Sequence, residues 1–276
     1  MLRAVEQRGL ATDEPSALKA KSALVVWIAL YAATAGLAGF SAVRSTAMIT
    51  RLKPALGRRF VALSAGAVIL VLLPFAVFRV LGELASARFG PFDELHLDEI
   101  QWINPIIAGL TMPAVIGLVA VARVVTTRPG LGLEGLAELG SSMRGLVGML
   151  GAILALGVLT TAARWQAIGT LPGGEPLPST VVLLWGAVFA LVLGLLYVPV
   201  YQVWAAATQR EIALEVERQL PEPTGHAGTP GFRVGELALK KELEATLGMG
   251  GALRSLQGSV AVLAPVIAAA VSSLFA

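Results

Sequence analysis

Six stretches of this chain, at 22–43, 60–81, 103–125, 143–163, 181–205 and 256–275, each run for about twenty residues with no acidic and almost no basic side chain. A helix needs about 20 apolar residues to cross the hydrocarbon of a bilayer, where the backbone must satisfy its own hydrogen bonds. Repeated six times, the pattern predicts an all-α, polytopic membrane bundle of six spans. The composition agrees: 14% of the 276 residues are charged and 56% are apolar, against about 25% charged in an ordinary soluble domain. The sixth stretch is Ala-rich and the most polar of the six, carrying Ser272 and Ser273. The dominance of Ala, Gly, Val and Leu, with Arg far commoner than Lys, suggests a bacterial, GC-rich source and an inner-membrane location.

The same poverty of charge excludes much chemistry. No Cys is present, so disulfides, thiol catalysis, iron–sulfur clusters and thiolate zinc sites are ruled out. His96 and His226 both lie outside the spans, which leaves a buried haem without ligands. Thr111, Thr160, Thr161 and Tyr31 are the main polar groups at membrane depth, none with a carboxylate or imidazole in reach by spacing. No catalytic residue, metal ligand or cofactor is therefore expected. The missing intramembrane Lys, Asp and Glu also argue against a retinal Schiff base, a carboxylate proton relay or a voltage sensor. The net charge of +3 comes from basic residues at span ends, where topology explains them, so no nucleic-acid partner is expected. The lipid bilayer is the expected environment.

Lys and Arg set orientation, since cytoplasmic connections carry the excess. Grouping alternate sides gives 14 against 7, which puts both termini outside. Lys19 and Lys21, pressed against the first span, oppose that reading. Trp27, Trp102, Trp165 and Trp185 fall near span ends assigned to the outer face, and Trp204 marks the inner end of the fifth span; indoles favour the headgroup region. A cleavable signal peptide is the rival reading of the start, with an apolar core at 23–32 and small residues through 33–42.

Four regions follow: a polar tail at 1–21, a five-span bundle at 22–205, a cytoplasmic helix–loop–helix at 206–251 and the sixth span at 252–276. The fifth span continues without a breaker through Leu220, and Ile212, Val216 and Leu220 share one helical face. Pro221-Glu222-Pro223 ends it. A second helix over 234–247 carries Leu239, Leu243 and Leu247 as a stripe, with Glu236 before Lys240 at a supportive spacing. The two stripes either cover each other in a helical hairpin or dock a partner protein through Ile212, Val216, Leu220, Leu239 and Leu243. Met249, between glycines, reads as a hinge.

Lipid removes the hydrophobic drive for helix association, so small residues that admit a close backbone are the informative ones. Gly186, Ala190 and Gly194 form such a stripe in the fifth span, and Gly148 and Gly151 one in the fourth, where Gly145 precedes them. They predict close packing within the chain or between copies in a homo-oligomer. Pro74, Pro113, Pro199 and Pro265 lie inside spans and predict kinks. Pro113-Ala114-Val115-Ile116 and Pro265-Val266-Ile267-Ala268 occupy corresponding places in two halves, too short a match to carry an inverted repeat. Asp93, Glu94, His96, Asp98 and Glu99 form an acidic loop that reads as a solvated, cation-attracting surface. No nucleotide or zinc motif is present, and the sequence resembles no family. The function expected is non-catalytic: an oligomeric pore or small-solute conduit, with a membrane scaffold acting through the hairpin nearly level with it. A secondary transporter or permease component is third.

Overall fold

The computed structural model describes residues 15–89, 103–128, 130–169, 179–220, 230–247, 249 and 252–274. Among them it is all-α: α1 (Pro15–Leu52), a 3-10 turn (Lys53–Ala55), α2 (Arg59–Phe89), α3 (Ile103–Thr127), α4 (Gly132–Gly169), α5 (Ser179–Gln219), α6 (Pro230–Thr246) and α7 (Ala252–Leu274). Four helices, α1, α3, α4 and α5, are long and apolar enough to cross a membrane, which makes this a multi-pass membrane protein. Two further helices carry shorter apolar stretches, Arg59–Leu73 in α2 and Val260–Ser272 in α7. The acidic loop at 93–99, Trp102, the first fourteen residues, the Pro221–Pro223 break and the glycines flanking Met249 lie outside the described residues.

The helices outrun the spans expected of them. At about 1.5 Å per residue, the 41 residues of α5 reach roughly 62 Å, about twice the hydrocarbon thickness. The boundary at 205 falls inside this helix, whose run through Gln219 is the one expected from the lack of a breaker up to Leu220. Likewise α1 begins at Pro15, so Lys19 and Lys21 belong to a helix and not to a tail. The small-residue stretch that could read as a cleavage region is this helix's packing face, with Thr34, Ala38 and Ser41 all buried.

Turns at one end are tight. Gly57 (φ +63°) follows the 3-10 turn and Gly130 (φ +78°) lies between α3 and α4, left-handed conformations that a side chain would strain. The α1–α2 turn is tied to the end of α3 through Arg123 Nε, which donates to Leu56 O at 3.5 Å, and Thr127 Oγ1, which donates to Ala55 O at 3.5 Å. Arg51, Arg58, Arg59, Arg123 and Arg128 are thereby collected at a single end of the bundle.

Burial follows the logic of a protein solvated by lipid. Val26, Phe40, Val61, Ile69, Leu191, Leu195, Leu263 and Ile267 point outward, an apolar exterior that suits acyl chains and would be an association hazard in water. Inside, small residues bring helices together: Ala38, Ala114, Ala120 and Ala269 have no exposed surface. The main core runs from Leu118 and Val121 on α3 through Met143 and Val147 on α4 to Leu193 and Trp204 on α5.

Trp204 departs from the interfacial role expected of it. It is fully buried, its Nε1 donates to Leu136 O at 2.8 Å, and its ring lies against Gly140, where a Cβ would approach to 2.5 Å. The Arg144 guanidinium sits 5.6 Å from the ring centroid and Tyr201 stacks at 5.8 Å. The indole joins α4 to α5 and turns its N–H inward to the Leu136 carbonyl.

Candidate functional site: a recess at the tryptophan end

α7 is held between α4 and α5 by glycine. A Cβ on Gly151 would overlap the Ala261 carbonyl, and one on Gly186 would stand 2.6 Å from Pro265 O and 2.8 Å from the Ala269 Cβ. The first contact has a chemical cause. Pro265 has no N–H, so the Ala261 carbonyl one turn earlier loses its usual helical donor. The Gly151 hydrogen that takes the place of Cβ points at this oxygen, a weak C–H···O contact. Gly194 meets Val262 at an ordinary 3.7 Å, Ala190 is buried, and Gly148 faces open space. The stripe thus divides, with Gly151, Gly186 and Gly194 serving contacts within the chain. No proline breaks its helix: α2, α3, α5 and α7 run continuously through Pro74, Pro113, Pro199 and Pro265.

At the opposite end from the basic turns, five helices diverge around a recess of about 370 Å³. Three layers line it. At the rim stand Trp27 on α1, Arg164 and Trp165 on α4, and Trp185 on α5. Tyr31 packs one turn below Trp27, ring centroids 5.9 Å apart, and Phe189 one turn below Trp185, edge-on at 5.6 Å. In each pair the i, i+4 spacing of a helix stacks the rings along one wall.

Below the rim is a girdle of hydroxyls. Thr34 Oγ1 and Thr160 Oγ1 face each other 3.4 Å apart where α1 meets α4. Thr111 enters from α3, and Thr161 follows Thr160. Each hydroxyl donates along its own helix: Thr34 to Leu30 O at 2.7 Å, Thr160 to Leu156 O at 2.6 Å, Thr161 to Gly157 O at 2.9 Å and Thr111 to Ala108 O at 2.7 Å. Their protons spent this way, the oxygens keep lone pairs for a ligand donor or a water.

The floor is apolar, formed by Val115, Leu150, Ile153 and Leu193, all nearly without exposed surface. Beneath it the packed core through Leu118, Val147 and Trp204 closes the bundle. The recess is blind. Its chemistry is graded from cationic and aromatic at the mouth, through hydroxyls, to hydrocarbon.

The sequence names Tyr31, Thr111, Thr160 and Thr161 as isolated polar groups, and the fold brings all four to one cavity. It treats Trp27, Trp165 and Trp185 as headgroup markers; the three line the recess, and Trp27 is buried. Arg164 and Thr34 are absent from its candidates. A signal was available, in three tryptophans and one arginine at matching ends of three spans.

The second candidate surface, the hairpin stripe, is covered within the chain. Ile212 and Val216 on α5 are buried against Leu247, with Leu239 and Leu243 of α6 and Leu133 and Ala137 of α4 packed around them. Leu220 is half-buried. In this arrangement Ile212 and Val216 offer nothing to a partner. Met249, read as a hinge, ends α6: its N–H donates to Glu244 O at 2.8 Å and its side chain joins the same cluster.

No family model matches the chain, and no curated protein or solved structure is detectably similar to it.

Proposed function

We propose that the protein is a six-span membrane conduit that takes a small solute into the recess and passes it across the bundle without altering it chemically. The observation that carries this reading is the convergence of five helices on one graded cavity of ligand size, about 370 Å³, within the range of small-molecule sites. The packed floor favours stepwise access, as in a secondary transporter or permease component, over a permanently open pore through one chain. One chain encloses the recess, so a homo-oligomer is not required for binding; an oligomeric pore would run between copies. The hairpin scaffold reading has less support, because its apolar stripe is already covered.

In the bilayer, α2 and α7 are read as the remaining two spans. α7 is seated between two helices that themselves can cross, and α2 extends over 31 residues. Collection of basic residues at the end opposite the recess supports a cytoplasmic location for that end, with the recess and both termini outside. A bacterial inner membrane suits this polarity.

The test is solute uptake by proteoliposomes containing the purified protein, with empty liposomes, a hairpin deletion and Leu193→Trp as comparisons. Saturable uptake that survives the deletion and is lost on filling the floor supports the conduit. Ion current that does not saturate points to a path between protomers, and no uptake of any solute moves the weight to the scaffold.

A further inference from the structure

We infer that the solute of this recess is a small neutral aromatic molecule carrying an O–H or N–H donor, held with the donor at the facing oxygens of Thr34 and Thr160 and the ring against the aromatic walls. The inference rests on the recess being a solute site and adds the class of solute.

The hydroxyl protons lead there. A threonine hydroxyl has one proton to give and two lone pairs to receive with. Thr34 gives its proton to Leu30 O at 2.7 Å and Thr160 to Leu156 O at 2.6 Å, both much shorter than the 3.4 Å between the two oxygens themselves. No proton is left to lie between them, so two electron-rich atoms face each other where α1 meets α4, on side chains that are both buried. Thr111 and Thr161 spend their protons in the same way, on Ala108 O and Gly157 O. The girdle therefore accepts hydrogen bonds and has none to give. An O–H or N–H standing off the midpoint of the Thr34–Thr160 pair reaches both oxygens at about 2.9 Å, a three-centre bond that offsets their repulsion.

Acceptors at this depth decide the polar group of the ligand. A carboxylate or phosphate would set lone pairs against lone pairs. An ammonium has donors, but none of the described lining residues is a carboxylate that would offset the burial of its charge. A hydrocarbon without a donor would seal the oxygens away from any partner for their lone pairs. The walls decide the rest of the molecule. Trp27, Tyr31 and Thr34 follow one another at i, i+4 and i+7, which puts two rings and the hydroxyl on one face of α1. Trp185 and Phe189 enter the same recess from α5. Such walls receive an aromatic ring in offset or edge-on contact. Beneath them Val115, Ile153 and Leu193 bring no polar side chain, so the donor of the ligand meets no rival acceptor side chain on the floor.

The experiment measures binding of radiolabelled 2-naphthol to the full-length protein in nanodiscs of zwitterionic lipid, above its partition into empty nanodiscs. Competitors are unlabelled 2-naphthol, 2-methoxynaphthalene, 2-naphthoate and 2-naphthylmethylammonium, which share the ring and differ in the polar group. Unlabelled 2-naphthol should displace the probe saturably, and the other three should bind at least about fivefold more weakly, the loss expected when buried acceptors miss their donor. Thr34→Val combined with Thr160→Val keeps the side-chain shape and removes both oxygens; 2-naphthol should then bind no better than its methyl ether, whose own affinity stays unchanged. Thr34→Ser combined with Thr160→Ser keeps the oxygens and should keep the preference. Because the ligands are compared within each variant, a partly unfolded protein does not mimic the result. Equal binding of 2-naphthol and its ether by the unaltered protein, tighter binding of either charged ligand, or a preference that survives the double valine variant overturns the donor assignment while leaving a solute site in place. No saturable binding of any of the four, with uptake of some other solute still blocked by Leu193→Trp, overturns the aromatic donor alone. Absence of both removes the solute site itself.

Discussion

Gly148 and Gly151 lie three residues apart on α4, and the sequence gives no reason to treat them differently. Replacing each by Ala changes the same thing in the helix: a better helix former gains up to about 1 kcal/mol over Gly in a helix interior. At Gly148 nothing lies within 4 Å of the new methyl, so Gly148→Ala should be neutral or stabilising. At Gly151 the methyl overlaps the backbone carbonyl of Ala261. That oxygen cannot rotate away, so α7 must shift, at about 1–3 kcal/mol for overpacking. The C–H···O contact to a carbonyl left without its donor by Pro265 is lost as well, about 0.5–1 kcal/mol. The propensity gain is common to both variants and cancels in the comparison, which leaves Gly151→Ala less stable than Gly148→Ala by roughly 1.5–4 kcal/mol. Equilibrium unfolding in mixed micelles of dodecyl sulfate and dodecylmaltoside, followed by tryptophan fluorescence, measures that difference. A single Cys placed at exposed Leu263, in a chain that has no other, reports whether α7 is the element that loosens. Equal stabilities, or a more stable Gly151→Ala, would refute the close seating of α7 on α4.

Other variants test the remaining parts of the structure. Trp204→Phe should destabilise by about 1 kcal/mol, the hydrogen bond to Leu136 O, and Trp204→Ala by about 3–5 kcal/mol because neither lipid nor water fills the hole; the same micelle titration reads both, and a neutral Trp204→Ala would contradict its burial. Ile212→Asp should release α6 from the end of α5, seen as faster amide exchange over Pro230–Thr246 with the bundle unaffected; unchanged exchange would show that the stripe does not hold the hairpin. A reporter fused after Ala276 should read outside the cytoplasm, and a cytoplasmic signal would remove either the even number of spans or the orientation.

Much of the architecture could be read from pattern because lipid leaves a chain few choices. Runs of apolar residues with no acidic group must become helices, and α1, α3, α4 and α5 stand where the stretches place them. Helix ends were less legible. α1 starts at Pro15, ahead of its apolar stretch, whereas the run of α5 through Gln219 was legible in the lack of a breaker before Pro221. The hairpin stripe was visible from spacing alone, whereas its fate depended on Leu133 and Ala137, which the chain supplies from the start of α4.

The sequence by itself determined an all-α membrane protein, the poverty of reactive groups and the gathering of Lys and Arg at span ends, since each follows from residue type against the solvent it meets. Tertiary structure alone decided which of several equivalent glycines lies against a neighbouring backbone, that Trp204 is a wedge, and that Arg164, Thr34, Thr111 and Thr160 share one cavity. Those outcomes depend on the rotation and neighbours of each helix. A lipid-facing position and a buried one are both apolar, so in a membrane the periodic contrast that reveals an inner face in water is largely erased.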